Sequence, residues 1–125
     1  MIPVVAHVRS DSDRTLTLVG YSYGSLVAGL AARQGLPVDS MAFVGSPGTG
    51  AHDVEDLRIK PGGKVYAVMG TSDPIRVATS NHQGLFGPDP GGDSFGAIGV
   101  EVPADHSGYW ESSDFLDVLR RASAP

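Results

Sequence analysis

At 125 residues, 41% hydrophobic and 18% charged, the chain has the length and apolar content of one globular domain. Its net charge of −5, with no basic cluster longer than Arg120-Arg121, excludes a phosphate-binding surface for nucleic acid. The absence of cysteine excludes disulfides and thiol chemistry, and no apolar stretch approaches the roughly 18–20 residues of a membrane span.

In chain order, Met1 to His7 carries no basic region ahead of its short apolar run. No secretory signal is therefore expected, and the cytoplasm is the default compartment. The first strand is expected at Thr15 to Val19. Directly after it stands Gly20-Tyr21-Ser22-Tyr23-Gly24, then a helix over about Tyr23 to Gln34, ended by Gly35 and Pro37. A second strand, Met41 to Gly45, runs into Gly45-Ser46-Pro47-Gly48-Thr49-Gly50. That loop matches neither phosphate-binding glycine fingerprint and reads as a tight turn leaving room above Ser22. A helical turn at Asp53 to Leu57 and a Pro61-Gly62-Gly63 turn precede the third strand, Lys64 to Met69. Gly84 to Gly99, with six glycines and two prolines, reads as a long surface loop that is open to lining a site. The fourth strand is Ile98 to Val102. A last helix runs from Ser112 or Ser113 to Arg121, with Phe115, Leu116, Val118, Leu119 and Ala122 at helical spacing and Ser113 as its cap. The first three strands are nearly continuous apolar runs, which suits parallel strands buried on both faces. The expected class is α/β: one domain over 1–125, three α/β/α layers, and a short, mainly parallel sheet of about four strands.

The chemistry sits where these strands end. A glycine-flanked serine between a strand and a helix is held on a turn so tight that its neighbours must be small, with its hydroxyl exposed above the sheet edge. The helix that follows aims its N-terminal N–H groups at the same spot. A serine hydroxyl needs a base within hydrogen-bond reach, and that base needs an orienting carboxylate. Asp73 follows the third strand and His106 the fourth, so all three lie past the C-terminal ends of strands, on the edge where open parallel sheets bind ligands. The assignment is Ser22 as nucleophile, Asp73 as acid, His106 as base, and the Tyr23 N–H as an oxyanion donor, with Gly20 and Gly24 as the elbow glycines. Each has a plainer reading beside it: a turn serine, an Asp-Pro turn, a surface histidine. Asp105 adjoins His106, but neighbouring side chains diverge. Asp89 and Asp93 lie in the glycine-rich loop. His7, His52 and His82 are assigned to surface or loop positions, and the histidines show no metal-ligand spacing. Tyr109-Trp110 reads as site wall or as core.

Gly-Tyr-Ser-Tyr-Gly-Ser, Val-Gly-Ser-Pro-Gly and Asp-His-Ser-Gly-Tyr-Trp together resemble an actinobacterial α/β-hydrolase family whose function is not established, over about Thr15 to Trp110. The resemblance implies a triad of Ser22, Asp73 and His106 but no particular substrate; the chemistry of such a triad suits a small ester-like substrate and needs no metal or organic cofactor. In the full fold several strands precede the nucleophile strand, and a loop among them supplies a second oxyanion N–H. Only 14 residues precede the first expected strand here. The chain is therefore expected to match the C-terminal portion of such an enzyme, with the nucleophile strand as an unpaired edge. Two function classes follow: an acyl-type serine hydrolase, or a catalytically incomplete half-domain that associates with a partner through that edge or arises as a truncated fragment. A Rossmann-type nucleotide binder is disfavoured, because a serine occupies the turn where its glycine fingerprint would stand.

Overall fold

A computed structural model of the chain describes residues 4–9, 16–75 and 87–123. Five strands form one sheet in sequence order: β1 (Val4–Arg9), β2 (Leu16–Tyr21), β3 (Ser40–Val44), β4 (Lys64–Gly70) and β5 (Ile98–Val102). β2 to β5 are parallel, and Val19, Ala42, Tyr66 and Ile98 form one row across them. The expected mainly parallel sheet is present, with one addition. β1 pairs antiparallel with β2 from Val4↔Tyr21 to Arg9↔Leu16. The expectation that β2 is an unpaired edge is thereby overturned, because a six-residue hairpin partner needs far less chain than the parallel crossovers that were counted as absent. β1 and β5 are the outer strands.

Side chains alternate across each strand, so the sheet carries two cores. On one face Leu18, Met41, Phe43 and Val65 pack with Ala28 and Ala32 of α1 (Gly24–Gln34) and with Val38 and Leu57. On the other, Val19, Tyr21, Ala42, Val44, Tyr66 and Val68 pack with Phe115, Val118 and Ala122 of α2 (Ser113–Ser123). These are the three expected layers.

Gly35, at φ +105, ends α1 in a conformation that L side chains rarely adopt, and its N–H donates to the Ala32 carbonyl at 3.0 Å. The cap of α2 is Ser112 rather than Ser113: its Oγ accepts from Phe115 N–H at 3.3 Å, and its carbonyl accepts from Leu116 N–H at 3.1 Å. At the far end, the Ala122 carbonyl accepts from Ser40 Oγ at 2.6 Å and Thr17 Oγ1 at 3.0 Å. Two buried hydroxyls on β2 and β3 thus anchor the last turn of α2 to the sheet.

The glycine-rich stretch is structured where it is described. Its part from 87 onward contains a single 3-10 turn at Asp93–Phe95, and Phe95, 1% exposed, stands edge-on to Phe43 at 6.4 Å. β5 begins at Ile98, so Gly99 belongs to the strand and not to the loop. Residues 81–86, including His82 and Gly84, lie outside the described residues. No helix among the described residues is long and apolar enough to cross a membrane.

Candidate active site

Parallel strands present their C-terminal ends on one edge of the sheet, and four turns meet there. The first follows β2. Ser22 is at φ +56, the one positive-φ non-glycine among the described residues, and its N–H is tied to the Val44 carbonyl at 2.9 Å. A β-carbon on Gly20 would lie 2.9 Å from both the Gly24 carbonyl oxygen and Ser25 Cα, so the turn closes only because Gly20 has none. Gly24 is the buried first residue of α1, and Tyr23 is its N-cap. Ser25 Oγ donates to the Ser22 carbonyl at 2.6 Å, fastening the turn to the helix.

The second and third turns follow β4 and β5 and are hydrogen-bonded to each other. Thr71 N–H donates to the Val102 carbonyl at 2.9 Å and Ser72 N–H to the Ala104 carbonyl at 3.1 Å. This brings Asp73 and His106 together. His106 Nδ1 lies 2.8 Å from Asp73 Oδ2, and His106 Nε2 lies 2.8 Å from Ser22 Oγ. The Asp73 side chain is fully buried and that of His106 is 28% exposed, so the ring spans from interior to solvent. Asp73 Oδ1 also accepts from Ile75 N–H at 2.9 Å, the turn contact that an Asp-Pro pair offers. One carboxylate oxygen shapes the loop and the other meets the histidine.

The fourth turn follows β3. Gly45, at φ +55, leaves the space in which the other groups meet: a β-carbon there would lie 2.9 Å from Asp73 Oδ2 and 3.2 Å from His106 Nδ1. The room this loop leaves at Gly45 is where acid and base meet.

The remaining candidates fall elsewhere. Asp105 is exposed, and its Oδ1 accepts from Ser107 N–H at 3.1 Å, within its own turn. Asp89 likewise accepts from Gly91 N–H at 2.9 Å. His52 is exposed, and His7 stands in β1. No three His, Asp or Glu side chains converge as a metal site among the described residues. A cleft of about 350 Å³ opens on the α1 face, over Phe43, Ala67 and Gly99 and beside Asp89 and Pro90. Ser22, Asp73 and His106 do not line it, so what the glycine-rich loop borders is a cleft without these three side chains.

Two tyrosine hydroxyls belong to the site and went unread in the sequence. Tyr21 donates to the His106 backbone carbonyl, and its ring stacks on the imidazole at 5.2 Å and 29°. Tyr109 is fully buried, and its hydroxyl donates to Asp73 Oδ2 at 2.6 Å. Burial, then the hydrogen bond to Asp73, holds the Tyr109 phenol well above the usual tyrosine range, while the Gly70 N–H pulls the other way. Burial, then the charges of Asp73 and Asp105, raises that of Tyr21. The available signal was position: Tyr21 and Tyr109 each adjoin a motif already singled out. The choice left between core and wall for Tyr109 has both answers, since its ring also packs on Phe115 at 5.9 Å. Trp110 is 41% exposed and stands edge-on to Tyr21 and Phe115.

A parallel α/β sheet with a serine on the strand-to-helix turn, and a histidine and buried acid on later turns of the same edge, defines a hydrolase-type α/β protein. The family model described as alpha/beta hydrolase matches residues 4–82, and the chain belongs to that family. The match begins at β1 and ends before His106. The chain is 40% identical over 86 residues to the uncharacterized protein Rv0963c of Mycobacterium tuberculosis, covering 69% of this chain and 32% of that protein. The uncharacterized protein Mb0988c of Mycobacterium bovis gives the same values. Rv2079 of Mycobacterium tuberculosis, also uncharacterized, is 30% identical over 78% of this chain and 19% of its own length. The chain thus spans a third or less of the curated relatives it matches. No solved structure matches significantly.

Proposed function

We propose that the chain carries the catalytic centre of a serine hydrolase acting on esters or thioesters. One observation carries the reading: Ser22 Oγ, the His106 ring and the buried Asp73 carboxylate stand in one hydrogen-bonded series, with 2.8 Å at each link. Ser22 Oγ forms the bond to the substrate carbonyl carbon as His106 Nε2 takes its proton. Asp73 holds the tautomer of His106 that leaves Nε2 free to accept and stabilises the imidazolium that results. Negative charge gathers on the former carbonyl oxygen, at the N-terminus of α1, where the Tyr23 N–H serves as donor. The alcohol or thiol leaves with the proton from His106, and water resolves the acyl-enzyme by the same route in reverse. These steps use the chain's own groups.

A fluorophosphonate probe reports directly on such a serine. Wild type is expected to label, and Ser22→Ala and His106→Ala to lose labelling. Labelling that survives in Ser22→Ala overturns the proposal.

A second reading, association with a partner chain, no longer has an unpaired β2 edge to rest on. One observation still favours it: Tyr23, Val27 and Leu30 are 45%, 53% and 45% exposed along α1, an apolar row facing solvent. On that reading a partner covers the row and completes the site. A folded chain that does not label, and that labels when joined to the remainder of a longer relative, supports association over independent catalysis.

A further inference from the structure

Gly70 N–H donates to Tyr109 Oη at 2.8 Å, so the phenol oxygen already serves as an acceptor there. Its single proton then has two acceptors in reach: Asp73 Oδ2 at 2.6 Å and the Met69 thioether at 3.8 Å. A thioether is a weak acceptor and a carboxylate a strong one, so the proton goes to Asp73. Asp73 Oδ2 therefore receives from both His106 and Tyr109, while Oδ1 receives from Ile75 N–H. Three donors on its two oxygens fix the plane of a carboxylate that its single side-chain carbon would otherwise leave free to turn. Packing alone does not account for the hydroxyl. The ring's contacts with Tyr21 and Phe115, at 6.2 and 5.9 Å, would be served equally by phenylalanine. A buried hydroxyl is costly unless its partners need it.

We infer that Tyr109 is a positioning residue, whose hydroxyl holds the Asp73 carboxylate in the orientation that meets His106 Nδ1, an inference that rests on the triad reading. It acts on the substrate only through Asp73 and His106. Among the described residues, the groups facing His106 are Ser22, Asp73 and Tyr21, with Asp105 adjoining it in the chain; Tyr109 faces Asp73.

The test is Tyr109→Phe, read in two ways. With p-nitrophenyl acetate as probe, kcat is expected to fall about 10- to 100-fold with KM nearly unchanged, the loss expected when a hydrogen bond to a charged group is removed from the transition state. In 15N spectra of the histidine rings, taken without substrate, His106 is expected to shift away from the Nδ1-protonated tautomer. A Tyr109→Phe protein with wild-type kcat and an unchanged tautomer overturns the inference, whatever its melting temperature. Should that variant fail to fold, incorporating 3-fluorotyrosine into a Tyr21→Phe chain keeps the Tyr109 ring and makes its hydroxyl a stronger donor to Asp73: the His106 ring 15N shifts are then expected to move, and unchanged shifts overturn the inference. Failure of the triad reading looks different, since turnover then survives Ser22→Ala while the tautomer measurement still reports on Tyr109.

Discussion

Gly45 shows how much a single missing β-carbon decides. Its φ of +55 is costly for other residues, and the space beside it is where Asp73 and His106 meet. Gly45→Ala is expected to cost about 1–3 kcal/mol of stability from strain and overpacking. Its effect on labelling by a fluorophosphonate should be larger, roughly 100-fold in rate, because a displacement of about 1 Å breaks the alignment of acid and base. A urea melt and a labelling time course on one sample separate the two; a stability loss with an intact labelling rate would count against this account. Ser22 was legible in the sequence because its strain is written locally, in flanking glycines between a strand and a helix. Gly45 and the Tyr109 hydroxyl were not, because the groups they meet come from other loops.

At the scale of elements, α1 packs in the opposite sense to its hydrophobicity. Its buried residues are Gly24, Ser25, Ala28, Gly29 and Ala32, while Tyr23 at its cap, Val27 and Leu30 face outward. Small residues go inward because the loop after β3 presses on the helix: a β-carbon on Gly29 would lie 2.0 Å from the Thr49 carbonyl oxygen. Alanine favours a helix over glycine by about 1 kcal/mol, but contact with backbone cannot be relieved by turning a side chain. Gly29→Ala is therefore expected to destabilise by about 1–3 kcal/mol net, read as a lower urea midpoint at unchanged slope. A stabilised variant would show that the loop yields. The existence of α1, α2 and the four parallel strands was legible from apolar runs and their stop signals. β1 was not, because an antiparallel edge strand is defined by its partner's hydrogen bonds more than by its own composition.

For the whole molecule, the two faces of the sheet hold separate cores. Phe43 is fully buried in the one beneath α1, and Phe115 in the one beneath α2. Phe43→Ala and Phe115→Ala should each cost about 3–5 kcal/mol, and lying on opposite faces they should add. Against a typical domain stability of about 5–15 kcal/mol, the double variant is expected to lose about twice what either single one loses and to melt well below both, as circular dichroism would report. A double variant as stable as either single one would mean the two faces share one core. The site depends on both layers: α1 begins at the Ser22 turn, while Tyr109 ties the Asp73 turn to the cluster under α2.

Local pattern alone determined the α/β class, the positions of β2 to β5, and the order Ser22, Asp73, His106 past the ends of β2, β4 and β5. Each of these follows from nearest-neighbour chemistry: apolar runs, breakers, and a serine between glycines. Tertiary structure decided what local pattern cannot carry. It paired β1 with β2, turned the small face of α1 inward, and set the Ser22, His106 and Asp73 side chains within hydrogen-bond distance. It also placed the Tyr109 hydroxyl on Asp73 and the glycine-rich loop beside a cleft that those three side chains do not line. The reason is geometric: a parallel sheet brings distant turns to one edge, and which atoms meet there depends on register and packing summed over the whole chain.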